Sequence, residues 1–278
     1  MGKIIKIVLL VLLFSGVILF ILSSLNFTLR KYYRYVKDAK DEILETEVVT
    51  TDDIKDYPTA LKKYFQYTGI IGKERATHIE MVMSGEMKMD EEKEFAPISV
   101  KQFSVMDPST RVFFIRMKYN GLKINGIHYY DEEQAMMKIK LLDLLKVVDV
   151  SGETMRNAET VTVFNDMVLF APSSLLDDRF TFEEIDDLTV KGTFNNDGIV
   201  VSATLYFNQE GQLINFVSYD RWVVDDEIDH SVSWSTPIYE YKETNGLNLV
   251  YKGSAIWGFE DREFEYIKLE IEEVVTNP

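Results

Sequence analysis

The residues with the most chemical promise lie in two stretches, "ETVTVFNDMVLFAP" (159–172) and "NFVSYDRW" (215–222). Asn165 and Asp166 sit inside an otherwise apolar run, and Asp220 and Arg221 adjoin each other before Trp222. Glu159 opens the first stretch, and Trp234 follows in "HSVSWSTPIYEY". An apolar neighbourhood holds a charge only if the charge is paired or meets a ligand. Two readings therefore stand for Asn165, Asp166, Asp220, Arg221 and Trp234. They form a structural polar core, with Arg221 pairing Asp166 or Glu159, or they contact a ligand. Alternation along "SYDRW" points Asp220 and Arg221 to opposite faces.

Other chemistry finds less support. The chain has no cysteine, which excludes disulfides, thiolate catalysis and cysteine-ligated metal. His78, His128 and His230 are far apart and show neither H-x-x-x-H nor H-E-x-x-H spacing, so no metal centre is expected from them. His78 is expected on a strand surface. No G-x-S-x-G elbow occurs. Acidic clusters such as "VVDDEID" read as solvated faces, and "FNNDG" as a β-turn rather than a calcium loop. No cofactor is expected, and the lack of a catalytic constellation weighs against an enzyme.

The elements that must position these residues are mostly strands. From Ala76 onward apolar residues recur at every second position, as in "HIEMVMSGEMKM", "PISVKQFSVMD" and "TRVFFIRMKY". Turn signals at Asn196-Asp197-Gly198 and Gln209-Glu210-Gly211 mark hairpins. About nine to eleven strands are expected, with no βαβ alternation and no phosphate loop. Two helices interrupt them. "YPTALKKYFQYTGIIG" places Leu61, Tyr64 and Phe65 on one face, with Pro58 in its first turn and Gly69 at its end. Over 153–171, a helical reading puts Val161, Phe164, Met167 and Val168 on one side and Glu159, Thr162 and Asp166 on the other. The expectation is a core-facing helix with a polar edge.

Residues 7–25 are uncharged and largely aliphatic, roughly 28 Å long as a helix, which suits a membrane span. The apolar stretch exceeds the usual signal-peptide core and lacks a small-residue cleavage site. The expected division is a transmembrane anchor over 1–29, a juxtamembrane helix or linker over 30–50, and one β-rich domain over 51–278. Seven of the 30 Lys/Arg and one of the 46 acids, Asp38, fall in residues 1–40. The rest carries 23 bases against 45 acids, a net charge of −22, which disfavours nucleic acid as a partner. The basic collar with Tyr32, Tyr33 and Tyr35 suits either a headgroup layer or a solvated helix.

"ETVTVFNDMVLFAPSSLLD", "LYFNQEGQLINFVSYDRW", "WSTPIYEYKETNGLNL" and "AIWGFEDREFEYIKLEIEEV" together resemble a bacterial domain family of unknown function, over about residues 56–278. That resemblance implies an antiparallel sheet curled as a half-open barrel around a central helix, akin in fold to lipoprotein carriers of the bacterial envelope. With an aromatic load of 13%, including Trp222, Trp234 and Trp257, one sheet face could line an apolar pocket. The expected role is a membrane-anchored, non-enzymatic module binding a lipid or lipidated protein. The chain would be single-pass in the cytoplasmic membrane with its domain outside the cytoplasm. The alternative is an envelope interaction or assembly protein with a solid core and an acidic binding face.

Overall fold

The computed structural model describes residues 2–24, 26–40, 46–221 and 232–277. Its helices are α1 (Gly2–Ser24), α2 (Phe27–Lys40), α3 (Thr59–Thr68) and α4 (Glu153–Phe170). The strands before α4 are β1 (His78–Met87), β2 (Ala96–Val105), β3 (Thr110–Tyr119), β4 (Leu122–Tyr130), β5 (Ala135–Leu141) and β6 (Leu145–Ser151). Those after it are β7 (Phe180–Asp186), β8 (Thr189–Asn196), β9 (Ile199–Phe207), β10 (Leu213–Ser218), β11 (Ser233–Ser235), β12 (Ile238–Thr244), β13 (Leu247–Gly258) and β14 (Glu263–Thr276).

These strands form one antiparallel sheet in the order β6-β5-β4-β3-β2-β1-β14-β13-β11-β10-β9-β8-β7, with β12 added on β13. The hairpins β3–β4, β8–β9 and β12–β13 turn at Asn120-Gly121, Asp197-Gly198 and Asn245-Gly246, all with positive φ, as tight two-residue turns require. More strands are present than the alternation suggests. β5 and β6 reverse at Leu142-Asp143, where both residues take positive φ without a glycine or asparagine to signal it. β7 lies hidden in the acidic stretch "FTFEEID".

The sheet is open, because β6 and β7 end the strand order without pairing. It nevertheless bends around α4, which touches β5 and β6 near one end, β13 in the middle and β9 near the other. In a flat sheet β6 and β9 would stand ten strand spacings apart, roughly 48 Å, against a helix about 10–12 Å across. Wrapping explains the burial of every residue from Ala158 to Phe170, including the polar side. The polar edge expected on α4 is an interior surface. On its apolar side Phe164 meets Phe180, Phe194 and Phe216, with ring centres 5.3, 5.8 and 5.2 Å away.

Space for that cluster comes from Gly192 on β8. A Cβ there would stand 2.8 Å from the Phe164 ring and 3.1 Å from Phe182. Since neighbouring aromatic rings leave Phe164 no room to retreat, Gly192→Ala should cost about 1–3 kcal/mol of stability. Thermal denaturation checks this, and Phe164→Leu in the same chain should return part of the loss.

α3 closes one end of the molecule. Leu61, Tyr64 and Phe65 are fully buried, Tyr64 donates to the Val168 carbonyl at 2.6 Å, and Gly69 caps the helix in the left-handed region. Thr28, Tyr32, Val36 and Ala39 form a single buried stripe along α2; the last three pack on Phe103, Val105, Val112, Phe114 and Ile127 of the outer sheet face, and Thr28 donates to Asp143. The collar thus docks on the sheet, with Tyr32 buried and Tyr33 half exposed. α1 covers the apolar segment expected to span a membrane, and Leu10, Leu13 and Phe14 stand exposed on it. Among the described residues no helix is long and apolar enough to cross a membrane. The side chains of α1 are described without a break only from Gly2 to Ile18.

Candidate functional site

Between α4 and the concave sheet face lies a cavity of about 740 Å³. Its walls are mainly Met, Ile, Leu, Val and Phe, contributed by β1, β3, β4, β5, β13 and β14. Polar groups gather where the interior side of α4 meets β2, β3 and β4.

Arg111 is the hub of that polar cluster. On β3 it shares a face with Phe113, Ile115 and Met117, so strand alternation sends it inward. Its Nη1 donates to Glu159 Oε2 at 3.0 Å and its Nε to Asp166 Oδ2 at 2.7 Å. Nη2 donates to the side-chain carbonyl of Gln102, whose amide in turn donates to Asp166 Oδ2 at 2.7 Å. Glu159 Oε1 meets His128 Nδ1 at 2.9 Å. The two acids lie seven residues apart, two turns along one helix face, and this spacing lets one guanidinium reach both.

Burial pushes the Glu159 carboxyl up, but Arg111, His128 and Arg221 outweigh it and hold the group down at about 2. Burial likewise raises Asp166, and Arg111 and Gln102 only partly oppose this, so its carboxyl stays above the ordinary range. For Arg111 the loss of solvent is outweighed by Asp166 and Glu159, and its proton is held more tightly than usual. A depressed carboxylate stabilises the fold above its unfolded pKa of about 4.3, and that contribution disappears as pH falls through 2. The gap corresponds to about 3 kcal/mol. Denaturant melts between pH 7 and pH 2 should show this acid loss, and Glu159→Gln should flatten it. Asp166 acts in the opposite sense, because its raised value favours the fold at low pH and loses that advantage as pH rises.

The structure corrects the expected pairing of Arg221 with Asp166 or Glu159: Arg111 occupies both acids. Arg221 lies just past β10, where its Nε donates to Thr162 Oγ1 at 3.2 Å. Its guanidinium carbon lies 4.5 Å from the ring centre of Trp234 and 4.9 Å from that of Trp257. Asp220 turns away and accepts from the backbone N–H of Ser202 at 2.6 Å and its hydroxyl at 2.9 Å. Asn165 donates to Thr236 Oγ1 at 2.7 Å on the cavity wall. Trp234 is buried and donates to the Tyr266 hydroxyl at 3.2 Å.

Arg111, Gln102 and His128 escape a motif search, but each falls on the apolar side of its strand's alternation. A charge or amide at such a position is the available sequence signal. His78, expected at the surface, is buried beside Phe103, because α2 covers that part of the outer face. His230 and Trp222 lie outside the described residues. Among the described residues no three His, Asp or Glu side chains cluster to hold a metal ion.

An open antiparallel sheet wrapped on one helix, with a lined cavity between them, defines a mainly β cavity-bearing fold. The chain belongs to the family of unknown function DUF6544, whose sequence profile matches residues 47–269. No curated protein matches it. Two solved structures show a distant likeness to the chain. One is a domain from Vibrio parahaemolyticus described as an outer membrane lipoprotein-sorting protein domain: 8% identity, TM-score 0.42, 72% of this chain and 85% of that one. The other is a DUF1329 family protein from Desulfovibrio piger: 12% identity, TM-score 0.41, 73% of this chain and 86% of that one.

Proposed function

We propose that the protein is a membrane-anchored, non-enzymatic module that binds a lipid or the acyl chain of a lipidated protein. The observation that carries this reading is the cavity of about 740 Å³, within the roughly 300–1,000 Å³ of small-ligand sites and walled chiefly by apolar side chains. Each CH₂ taken from water into such a space contributes about 0.8 kcal/mol before ordering costs. Residues 1–29 form the anchor, and α2, which runs from its last residues into 30–50, stitches it to the sheet carried by 51–278. The exposed aliphatic side chains of α1, such as Leu10 and Leu13, support insertion into a bilayer.

Native mass spectrometry of the full chain released from detergent, with solvent extraction, tests the binding role. Adducts of lipid mass are expected. A chain that flies bare after gentle purification, and stays bare with added lipid, would favour an interaction protein working through its acidic surface.

The domain is placed outside the cytoplasm, with α1 in the cytoplasmic membrane and its N-terminus inside. Protease added to intact spheroplasts should digest residues 51–278. Full protection there reverses the orientation.

A further inference from the structure

We propose that Arg221 is the headgroup receptor of the cavity and that the ligand is an anionic amphiphile, an acyl chain ending in a carboxylate or phosphate. This rests on the cavity being a lipid site and adds the class of lipid.

The two arginines of the site are in different circumstances. Arg111 is matched by two carboxylates, Glu159 and Asp166, and bonds Gln102 as well. Arg221 lines the same cavity, yet among the described residues no carboxylate lies within ion-pair distance of it. Glu159 is the acid nearest in effect, and its two oxygens are already engaged by Arg111 and His128. Of the guanidinium's five N–H groups, the one on Nε reaches Thr162. The remaining donors, on the two terminal nitrogens, make no hydrogen bond among the described residues.

The setting holds that group rigid and oriented. Trp234 and Trp257 flank the guanidinium, Trp234 is pinned by Tyr266, and Thr162 fixes the Nε edge. With its carbon 4.5 and 4.9 Å from the two ring centres and its Nε bonded to Thr162, the guanidinium has its two terminal nitrogens free among the described residues, the pair that takes two oxygens of a carboxylate or phosphate side by side. The apolar walls strengthen such a contact by excluding water. A quaternary ammonium at the same place would set cation against cation. The acidic outer surface repels anions at long range, but in physiological salt that repulsion fades beyond about 8 Å, so it does not oppose a contact made inside the cavity.

The test uses the full chain in maltoside micelles, carrying a neutral, environment-sensitive acyl probe. Palmitic acid, hexadecanol, hexadecyltrimethylammonium and inorganic phosphate are compared as displacers. The acid should displace the probe at a concentration about tenfold or more below that of the alcohol or the ammonium. Inorganic phosphate, lacking a chain, should fail even at about a hundredfold excess over the acid. Arg221→Met should bring the acid-to-alcohol ratio close to one, and Arg221→Lys should keep part of it. Equal displacement by acid and alcohol in the natural chain overturns the proposal, as does a ratio that survives Arg221→Met. Displacement by phosphate at the acid's own concentration would make this a small-anion site and also overturn it. Should Arg221→Met not fold, the natural chain's ratio and Arg221→Lys decide. A chain that never binds the probe refutes the lipid cavity itself, an outcome distinct from binding without headgroup preference.

Discussion

Arg111→Met should destabilise the protein by about 3–5 kcal/mol, the largest effect expected from any single polar substitution in the chain. Arg111 is buried and touches both Glu159 and Asp166, so its loss leaves one strongly acidic carboxylate and one reluctant one without a counter-ion. Gln102 still serves Asp166, and His128 still serves Glu159, but neither supplies the fixed charge. Guanidinium chloride unfolding at pH 7 measures the loss. Combining Arg111→Met with Glu159→Gln and Asp166→Asn should recover much of it, because a buried ionic set replaced by neutral groups of similar size is often no less stable. If the triple variant is as unstable as the single one, shape rather than charge governs this region.

Phe164→Ala should cost a similar amount, about 3–5 kcal/mol. The ring is fully buried and contacts Phe180, Phe194 and Phe216, which come from β7, β8 and β10. Its removal leaves a void between α4 and a whole third of the sheet. Since α4 also carries Glu159, Thr162, Asn165 and Asp166, a looser seat for the helix moves one wall of the cavity. The stability loss should therefore come with weaker acyl-probe binding. Full probe affinity in a destabilised Phe164→Ala chain would show that the polar side of α4 is positioned independently of its apolar side.

The sequence displays most of the strands, their antiparallel sense and α4 because alternation and helical period are local properties, while the strand order and β7 stay hidden. α3 is readable for the same reason, with Leu61, Tyr64 and Phe65 on one face and Gly69 at its end. The polar site is only half legible. Asp166 and Glu159 stand out as charges on an apolar helix, whereas their partner does not, because choosing Arg111 over Arg221 requires the curvature of the sheet. That curvature brings β3 to the helix from one side and the end of β10 from another. The burial of His78 is hidden for a related reason: it depends on α2 folding back onto β2, β3 and β4.

The pairing of β1 with β14 sets the timing of everything else. Ile79 meets Thr276, so β1 can pair β2 early but its other edge waits for β14. At ribosomal rates of about 5–20 residues per second that wait is roughly 10–40 s. Until then the strands before α4 and those after it can only form as separate meanders of neighbouring hairpins. Phe113 and Ile115 of the cavity wall come from the first group, Trp234 and Trp257 from the second. Neither group alone encloses the cavity. The two halves of the cavity wall face each other only once β14 has joined β1.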